Sequence, residues 1–304
     1  MSIPIIHRQR KQKILVILGP TASGKSTLAV ELAKTFNCEV ISADSRQVYR
    51  GMNIGTGTIT KKEMRGVPHH LLDVASPKKK FSVVQWKEKA EKAIANITKR
   101  GKTPIVCGGT GLYIKALVEN IAYPDVPPDW KLRKKLDQKT AKQLVAILQK
   151  LDPARSKIID RHNPRRLIRA IEIVKHTGKP VPATIAAPHY STLLIGIKKS
   201  VPELKKRIRA RLCARMKKGM VQDAKKLRAS GVSWKRMEEM GLEYKYLAQY
   251  LQGKITKREM IETLDTKIYQ YAKRQLTWFK KTPNIHWESK HTKIERLVRA
   301  FLSA

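Results

Sequence analysis

A glycine-rich segment near the N-terminus has the residue types and spacing that bind phosphate groups. Residues 19–26 read Gly-Pro-Thr-Ala-Ser-Gly-Lys-Ser and fit the pattern G-x-x-x-x-G-K-[ST]. The segment follows an apolar run at residues 14–18 and precedes helical spacing that starts at Lys25. In that setting the amides at a helix N-terminus face phosphate oxygens, Lys25 adds positive charge, and Ser26 can hold Mg²⁺. The sequence therefore predicts a phosphate-binding loop, or P-loop.

A carboxylate follows the next predicted strand. The apolar run at residues 38–42 ends just before Asp44, and open α/β sheets bind ligands beyond the carboxyl ends of their strands. Three roles fit Asp44 there: a general base, a partner of Mg²⁺, or a helix N-cap without chemistry. The run at residues 103–107 instead ends in Gly108-Gly109-Thr110, with no acid. An ordinary nucleotide hydrolase needs an acid after such a strand to hold the magnesium shell.

The elements that must position these residues alternate in the first part of the chain. Short apolar runs alternate with amphipathic helical spacing from residue 14 to about residue 118, which is typical of an α/β fold with a parallel sheet flanked by helices. Prolines at 124, 127 and 128 end this alternation, and residues 130–176 show only helical spacing. A strand-like apolar run follows at 193–197, and the pattern of the remaining residues predicts basic helices. We predict a P-loop NTPase-like core at 1–122 and 192–304, with an inserted all-helical domain at 123–191.

The net charge indicates a polyanionic partner. In 304 residues, 64 Lys and Arg against 24 Asp and Glu give a formal charge of +40. Nucleic acid fits this excess best, because Lys and Arg that contact phosphates release counterions and so supply much of the affinity. A membrane surface would require a basic amphipathic helix beside a bulky apolar face, which no segment clearly shows. A charged surface that only keeps the protein soluble is the remaining alternative.

The cysteines and the N-terminus favour a cytoplasmic protein without a membrane partner. Cys38, Cys107 and Cys213 are odd in number and widely spaced, unlike a disulfide framework or a zinc site. The first residues place basic side chains before apolar ones, as a signal peptide does, but the apolar run at 14–18 is too short for one. We expect a monomer in the reducing cytoplasm.

Six longer motifs resemble the tRNA dimethylallyltransferase family, also called isopentenyl transferases. They cover most of the chain in one order: GPTASGKS at 19–26, ISADSRQVYRGMNIGTG at 41–57, VPHHLLDV at 67–74, GGTGLYIKAL at 108–117, NPRRLIRAIEI at 163–173 and YAKRQLTWFK at 271–280. Many proteins share the first motif, whereas the joint occurrence of all six is highly specific. No cysteine follows Trp287, which resembles the bacterial form rather than eukaryotic members with a C-terminal zinc finger.

The resemblance implies a reaction and the residues that perform it. Members transfer a dimethylallyl group from dimethylallyl diphosphate to N6 of adenosine 37 in tRNAs that read codons beginning with U, and diphosphate leaves. By motif, Asp44 is the base for the N6 proton, Thr110 is a hydroxyl near the amine and the diphosphate, and Ser26 holds Mg²⁺. The implied donor diphosphate ligands are Gly19, Pro20, Thr21, Ala22, Ser23, Gly24, Lys25, Ser26, Thr27 and Arg211.

The resemblance also implies contacts with the anticodon stem-loop of tRNA. The implied residues are Asp44, Ser45, Arg46, Gln47, Thr110, Arg133, Arg165, Arg166, Leu167, Ile168, Arg169, Lys273, Arg274 and Gln275. Aromatic and cationic side chains interleave at 271–280, which favours RNA binding by stacking and phosphate contact. The spacing of Leu276 and Phe279, and of Tyr271 and Trp278, equally suits a helix face packed on the core. The sequence leaves both roles open for the aromatic side chains.

Two other functions share these features. A P-loop kinase acting on a nucleotide or an RNA end would use the same loop to bind ATP, the same core and the same acid after the second strand. A non-catalytic RNA-binding protein could retain the P-loop as a relic.

The chain also departs from the family in places. Asn53 stands where members often have Asp, and Gly57-Thr58-Ile59 stands where they often have Ala-Lys-Pro.

Overall fold

Six parallel strands form the centre of the main unit. In the computed structural model, which describes residues 11–182 and 187–304, they are β1 (Gln12–Leu18), β2 (Cys38–Ser42), β3 (His69–His70), β4 (Thr103–Gly108), β5 (Tyr190–Ile197) and β6 (Ile285–Glu288). Their order in the sheet is β3-β2-β4-β1-β5-β6, and every pair is parallel. The register places Val16 of β1 between Val106 of β4 and Leu194 of β5. The predicted α/β architecture is confirmed.

Helices follow most strands and pack on both faces of the sheet. Within the same residues they are α1 (Lys25–Thr35), α2 (Asn53–Thr56), α3 (Lys61–Met64), α4 (Val83–Lys99), α5 (Gly111–Val118), α6 (Trp130–Leu136), α7 (Ala141–Leu151), α8 (Pro153–Ile158), α9 (Pro164–Thr177), α10 (Val201–Lys217), α11 (Met220–Ala229), α12 (Trp234–Glu239), α13 (Leu242–Leu251), α14 (Lys257–Lys280) and α15 (His291–Ser303). None of these described helices is long and apolar enough to cross a membrane.

Both faces of the sheet are buried. Alternate residues of β1 enter different cores: Ile14 and Val16 pack with residues of α4, α10 and α14, whereas Leu15 and Ile17 pack with residues of α1 and α15. A strand buried on both faces requires apolar side chains at every position. This requirement explains why β1 reads as a continuous apolar run.

One strand and one boundary differ from the sequence prediction. The region after residue 197, predicted to be helical, contains the edge strand β6 beside β5. Its sequence Ile-His-Trp-Glu is too short and too polar to show a strand period, so only its pairing with β5 defines it. In addition, β5 begins at Tyr190, and the predicted boundary at residue 192 falls inside that strand.

Residues 121–186 form a second compact unit, which contains α6 to α9. Its core consists of apolar side chains at helical spacing, including the fully buried Leu144, Leu148, Leu167 and Ile171. A capping box, in which Thr140 and Gln143 bind each other's backbone amides, begins α7. The local sequence signals and the packing therefore agree in this unit.

A buried carboxylate connects several residues of the helical unit through hydrogen bonds and ion pairs. Glu172 of α9 is only 1% exposed. It accepts hydrogen bonds from Arg133 Nε (2.8 Å) and Nη2 (2.7 Å), from Arg169 Nη1 (2.5 Å) and from the Asp129 amide (2.7 Å). Burial raises the pKa of Glu172, but the bonds from Arg133 and Arg169 outweigh it and hold the pKa below the usual 4.5.

We expect Glu172→Gln to lower the free energy of unfolding by about 3 kcal/mol at neutral pH, because it breaks a buried ion pair. A carboxylate with a lowered pKa stabilises the fold above its unfolded pKa of 4.5, and this contribution is lost as pH falls through the folded pKa. The difference between wild type and variant in urea unfolding should therefore shrink below pH 4.5. The matched control is Asp160→Asn, since Asp160 is 45% exposed and lies 4.0 Å from Arg166. It should cost less than about 1 kcal/mol, and equal costs for the two variants would contradict the assignment.

Candidate active site

The predicted P-loop connects β1 to α1, and its conformation is held by two cationic side chains. Lys25 Nζ donates to the carbonyl of Pro20 at 2.6 Å, and Arg207 Nε of α10 donates to the carbonyl of Ala22 at 2.7 Å. Ser23 is 2% exposed, and its hydroxyl has no hydrogen-bond partner among the described residues. The loop thus keeps a buried hydroxyl and two cations beside the N-terminus of α1, where anions bind.

A cleft of about 720 Å³ lies between this loop and α10. Its cationic lining consists of Lys25, Arg65, Arg207, Arg211, Arg215 and Lys218, against the single carboxylate of Glu63. Apolar side chains also line it, namely Ala22, Val30, Ile54, Ile59, Ala210 and Ala214. The cleft is therefore suited to a ligand that joins a polyanionic group to a small apolar group.

The structure places most, but not all, of the predicted diphosphate ligands on this cleft. Its lining includes Ala22, Ser23, Gly24, Lys25, Ser26, Thr27 and Arg211. Gly19, Pro20 and Thr21 are not part of it. Thr21 directs its amide to the side chain of Gln275 at 2.8 Å, and the Pro20 carbonyl accepts from Lys25. These three residues lie outside the cleft lining, and their contact with the diphosphate stays a prediction.

The side chain of Lys25 has a pKa below its usual value. The pKa of Lys25 is lowered from 10.5 to about 8, chiefly by burial and in part by the nearby guanidinium of Arg211, whereas Cys107 and the Asp44 carboxylate oppose the shift. A polyanion in the cleft would favour the charged form of Lys25. The loop lysine is thus poised to gain charge stabilisation when an anion binds.

Asp44 and Thr110 lie side by side at the carboxyl ends of β2 and β4. The Thr110 hydroxyl accepts a hydrogen bond from the Ser45 amide at 2.9 Å, and the Thr110 amide donates to the carbonyl of Ala43 at 3.1 Å. Asp44 Oδ1 accepts from the Arg46 amide at 2.8 Å, so its side chain closes a turn. Residues 45–50 are not helical, and the alternative that Asp44 caps a helix is therefore wrong.

Gln275 of α14 joins the P-loop to the Gly-Gly-Thr turn after β4. Its Oε1 accepts from the Thr21 amide at 2.8 Å, and its Nε2 donates to the carbonyl of Gly109 at 2.9 Å. A Cβ on Gly109 would lie 2.2 Å from this Nε2, so only glycine permits the approach. Gln275 is 7% exposed, and its amide oxygen and nitrogen each bond to the backbone; its contact with tRNA stays a prediction.

The other predicted tRNA contacts divide into exposed and buried side chains. Lys273, Arg274, Arg165 and Arg166 are exposed, and Ser45, Arg46 and Gln47 are partly buried. Leu167 is 0% and Ile168 5% exposed, so their side chains pack in the core of the helical unit, and their contacts with tRNA stay predictions. Arg133 and Arg169 direct their guanidinium groups to Glu172. Phe279 is 1% exposed and Trp278 packs against the main core, which favours the structural role for both rings.

Four cationic residues of the cleft were missed by the sequence analysis: Arg65, Arg207, Arg215 and Lys218. A signal for two of them was present, because Arg207, Arg211 and Arg215 are spaced four residues apart and so share one face of α10. Only the packing of α10 beside the P-loop distinguishes this face from the other basic faces of the helix.

Comparison with known proteins decides the family. The sequence profile described as IPP transferase matches residues 47–282. The chain belongs to the IPP transferase family. The tRNA dimethylallyltransferase of Acetivibrio thermocellus is 41% identical to this chain over 286 residues, and the alignment covers 91% of each chain. That of Shouchella clausii is 40% identical, covering 96% of this chain and 98% of its own.

Solved structures agree with this assignment to the IPP transferase family. A tRNA isopentenylpyrophosphate transferase from Bacillus halodurans is 38% identical with a TM-score of 0.73, covering 96% of this chain and 97% of its own. A eukaryotic dimethylallyltransferase acting on tRNA is 28% identical with a TM-score of 0.78, covering 91% of this chain and 74% of its own. The similarity therefore extends over nearly the whole fold.

Proposed function

We propose that this protein transfers the dimethylallyl group of dimethylallyl diphosphate to N6 of adenosine 37 in tRNAs that read codons beginning with U, with release of diphosphate. The observation that carries the proposal is the composition of the cleft, in which six cationic side chains lie beside apolar ones. The cations suit the diphosphate, and the apolar side chains suit the short prenyl group. The names of the relatives support transfer of a dimethylallyl group to tRNA.

The chemistry requires removal of a proton and stabilisation of a leaving group. The N6 amine is a weak nucleophile in neutral form, and Asp44 takes its proton as the bond from nitrogen to the allylic carbon forms. The carbon–oxygen bond to diphosphate breaks in the same conversion, and the negative charge that develops faces Lys25, Arg211 and the amides of the loop. Thr110 accepts from the Ser45 amide, so its own proton remains available to a diphosphate oxygen or to the base.

Mg²⁺ fits the donor set of this loop. The hydroxyl of Ser26 lines the cleft, and Mg²⁺ in proteins typically has one or two protein oxygen ligands, with substrate phosphates and waters completing the shell. The residues at 11–182 and 187–304 contain no cluster of three His, Cys, Asp or Glu that would hold a metal ion by itself. Ser26 would therefore hold the ion together with the donor diphosphate, and the ion would neutralise leaving-group charge.

Binding of tRNA rests on the exposed cations. Lys273 and Arg274 on α14, and Arg165 and Arg166 on α9, are exposed, as side chains that contact phosphates of the anticodon stem-loop must be. The adenine must leave the stacked loop before its N6 reaches Asp44, at a cost of a few kcal/mol that is lowest in an unpaired loop. A monomeric state and a cytoplasmic location remain predictions from the sequence.

One assay separates this function from its alternatives. The purified protein is incubated with tRNA, Mg²⁺ and either labelled dimethylallyl diphosphate or γ-labelled ATP. We expect label in tRNA only from the prenyl donor, at the adenosine next to the anticodon. Transfer of γ-phosphate to tRNA or a nucleotide would establish a kinase instead. Binding of tRNA without transfer from either donor would favour a non-catalytic protein.

A further inference from the structure

One wall of the cleft is a short segment with little stability of its own. Residues 53–57 comprise the four-residue helix α2 and Gly57, and Asn53, Ile54 and Gly57 line the cleft. An isolated helix of one turn is unstable, because nucleation costs more than so few hydrogen bonds return. The position of this wall must therefore be set by the elements that contact it from behind.

Two helices bind the backbone of Gly55 in this wall, and a third orients one of the side chains that do so. The Gly55 amide donates to Oδ2 of Asp223 in α11 at 3.1 Å, and its carbonyl accepts from Nη1 of Arg215 in α10 at 2.7 Å. Tyr244 of α13 donates its hydroxyl proton to the same Asp223 oxygen at 2.5 Å. Asp223 Oδ2 thus receives one bond from the wall and one from the phenol that fixes its orientation.

Tyr244 also supports the wall by packing. It is 1% exposed, and a Cβ on Gly55 would lie 2.5 Å from its ring, so the ring is in direct contact with the wall. Burial and the adjacent Asp223 carboxylate raise the pKa of Tyr244, which keeps its hydroxyl protonated and able to donate. Neither Tyr244 nor Asp223 lines the cleft itself.

The wall in turn holds a cation of the cleft. The carbonyl of Gly57 accepts from Nη2 of Arg211 at 2.7 Å. Movement of residues 53–57 would therefore displace both the apolar side chain of Ile54 and the guanidinium of Arg211. The positions of one apolar side chain and one cationic side chain of the cleft lining therefore depend on this one segment.

We infer that Asp223 and Tyr244 are positioning residues for the donor: they fix the wall at residues 53–57 and so set the affinity of the cleft for an allylic diphosphate without touching it. The inference rests on the proposed function, because the ligand it names is the proposed donor. A positioning role for Asp223 and Tyr244 differs from a purely structural role in one measurable respect. Loosening the pair should weaken donor binding selectively, while tRNA binding stays the same.

The test is equilibrium binding by calorimetry to the full chain with Tyr244→Phe, which removes only the hydroxyl. The Kd for dimethylallyl diphosphate should rise roughly fivefold to twentyfold, which is part of the full value of one hydrogen bond to a charged acceptor, because Tyr244 acts on the cleft only through the wall. The Kd for tRNA and the single-turnover rate at saturating donor should stay close to wild type. Tyr250→Phe is the matched control, since Tyr250 lies on the same helix and packs against the main core.

The outcomes are separable. A lower melting temperature for Tyr244→Phe with an unchanged donor Kd would overturn the inference, as would equal losses of donor and tRNA affinity. Asp223→Asn, which keeps a side-chain oxygen but removes the charge that strengthens both bonds to it, provides the comparison if the first variant does not fold, and it should weaken donor binding to a smaller extent. Inorganic diphosphate is a second probe, because displacement of Arg211 should weaken its binding too. A wild type that binds these ligands but transfers no prenyl group would refute the proposed function and leave the inference testable by binding.

Discussion

Asp44→Asn should slow single-turnover prenyl transfer by roughly 100-fold to 10,000-fold, the usual worth of a general base, while the Kd values of tRNA and donor change little. The substitution removes the basic oxygen that takes the N6 proton. It should preserve the local structure, because the turn depends on a bond from the Arg46 amide to Oδ1 at 2.8 Å, and Asn presents an equivalent oxygen.

A magnesium series distinguishes the two remaining roles of Asp44. If the carboxylate is the base, the rate at saturating tRNA and donor stays low at every magnesium concentration. If it instead helps to hold Mg²⁺, the defect appears in donor affinity and excess magnesium relieves it. The control is Asp265→Asn, which removes a surface carboxylate 3.5 Å from Arg209 and should be silent. An unchanged rate for Asp44→Asn would end the general-base assignment.

The affinity for tRNA should fall by about a thousandfold or more between 50 and 200 mM salt, as expected for a protein that contacts about six or more phosphates. The reason is the formal charge of +40, which can displace many counterions from an anticodon stem-loop. The slope of log affinity against log salt, from fluorescence anisotropy with a labelled stem-loop, measures the number of contacts. A slope near zero would contradict an electrostatic contribution of this size.

Two variants test which residues make the phosphate contacts that produce this salt dependence. Arg274→Ala removes an exposed cation of α14 near the site and should reduce the slope by about one contact, roughly 0.7 to 0.9. Arg258→Ala removes the same charge from the first turn of α14, where the side chain is 88% exposed. The two positions lie sixteen residues apart, or about 24 Å along a helix. Equal changes of slope for both would indicate a diffuse charge effect instead of a contact by Arg274.

The sequence by itself determined the features that depend on neighbouring residues. Apolar runs placed β1, β2, β4 and β5, and helical spacing with prolines predicted the helical segment at 130–176. The P-loop was predictable because its eight residues carry both the turn and the phosphate-binding groups. The position of Asp44 at a strand end was equally local, since it lies two residues after the end of β2. These features need no information about distant parts of the chain.

The tertiary structure decided which distant side chains join that local framework. Arg207 and Gln275 reach the P-loop across 185 and 254 residues of sequence. The basic face that carries Arg207 is visible in the sequence, but only the packing of α10 and α14 brings the two side chains to the loop. Packing likewise decides where the side chains of Leu167 and Arg133 lie: for both the family resemblance implies contact with RNA, and the structure places Leu167 in the core and Arg133 beside Glu172. Side-chain direction depends on which helix face meets the core, and that choice minimises exposed apolar area and unpaired buried charge over the whole unit. Strand β6 is defined in the same way, because its pairing with β5, more than its own residues, makes it a strand.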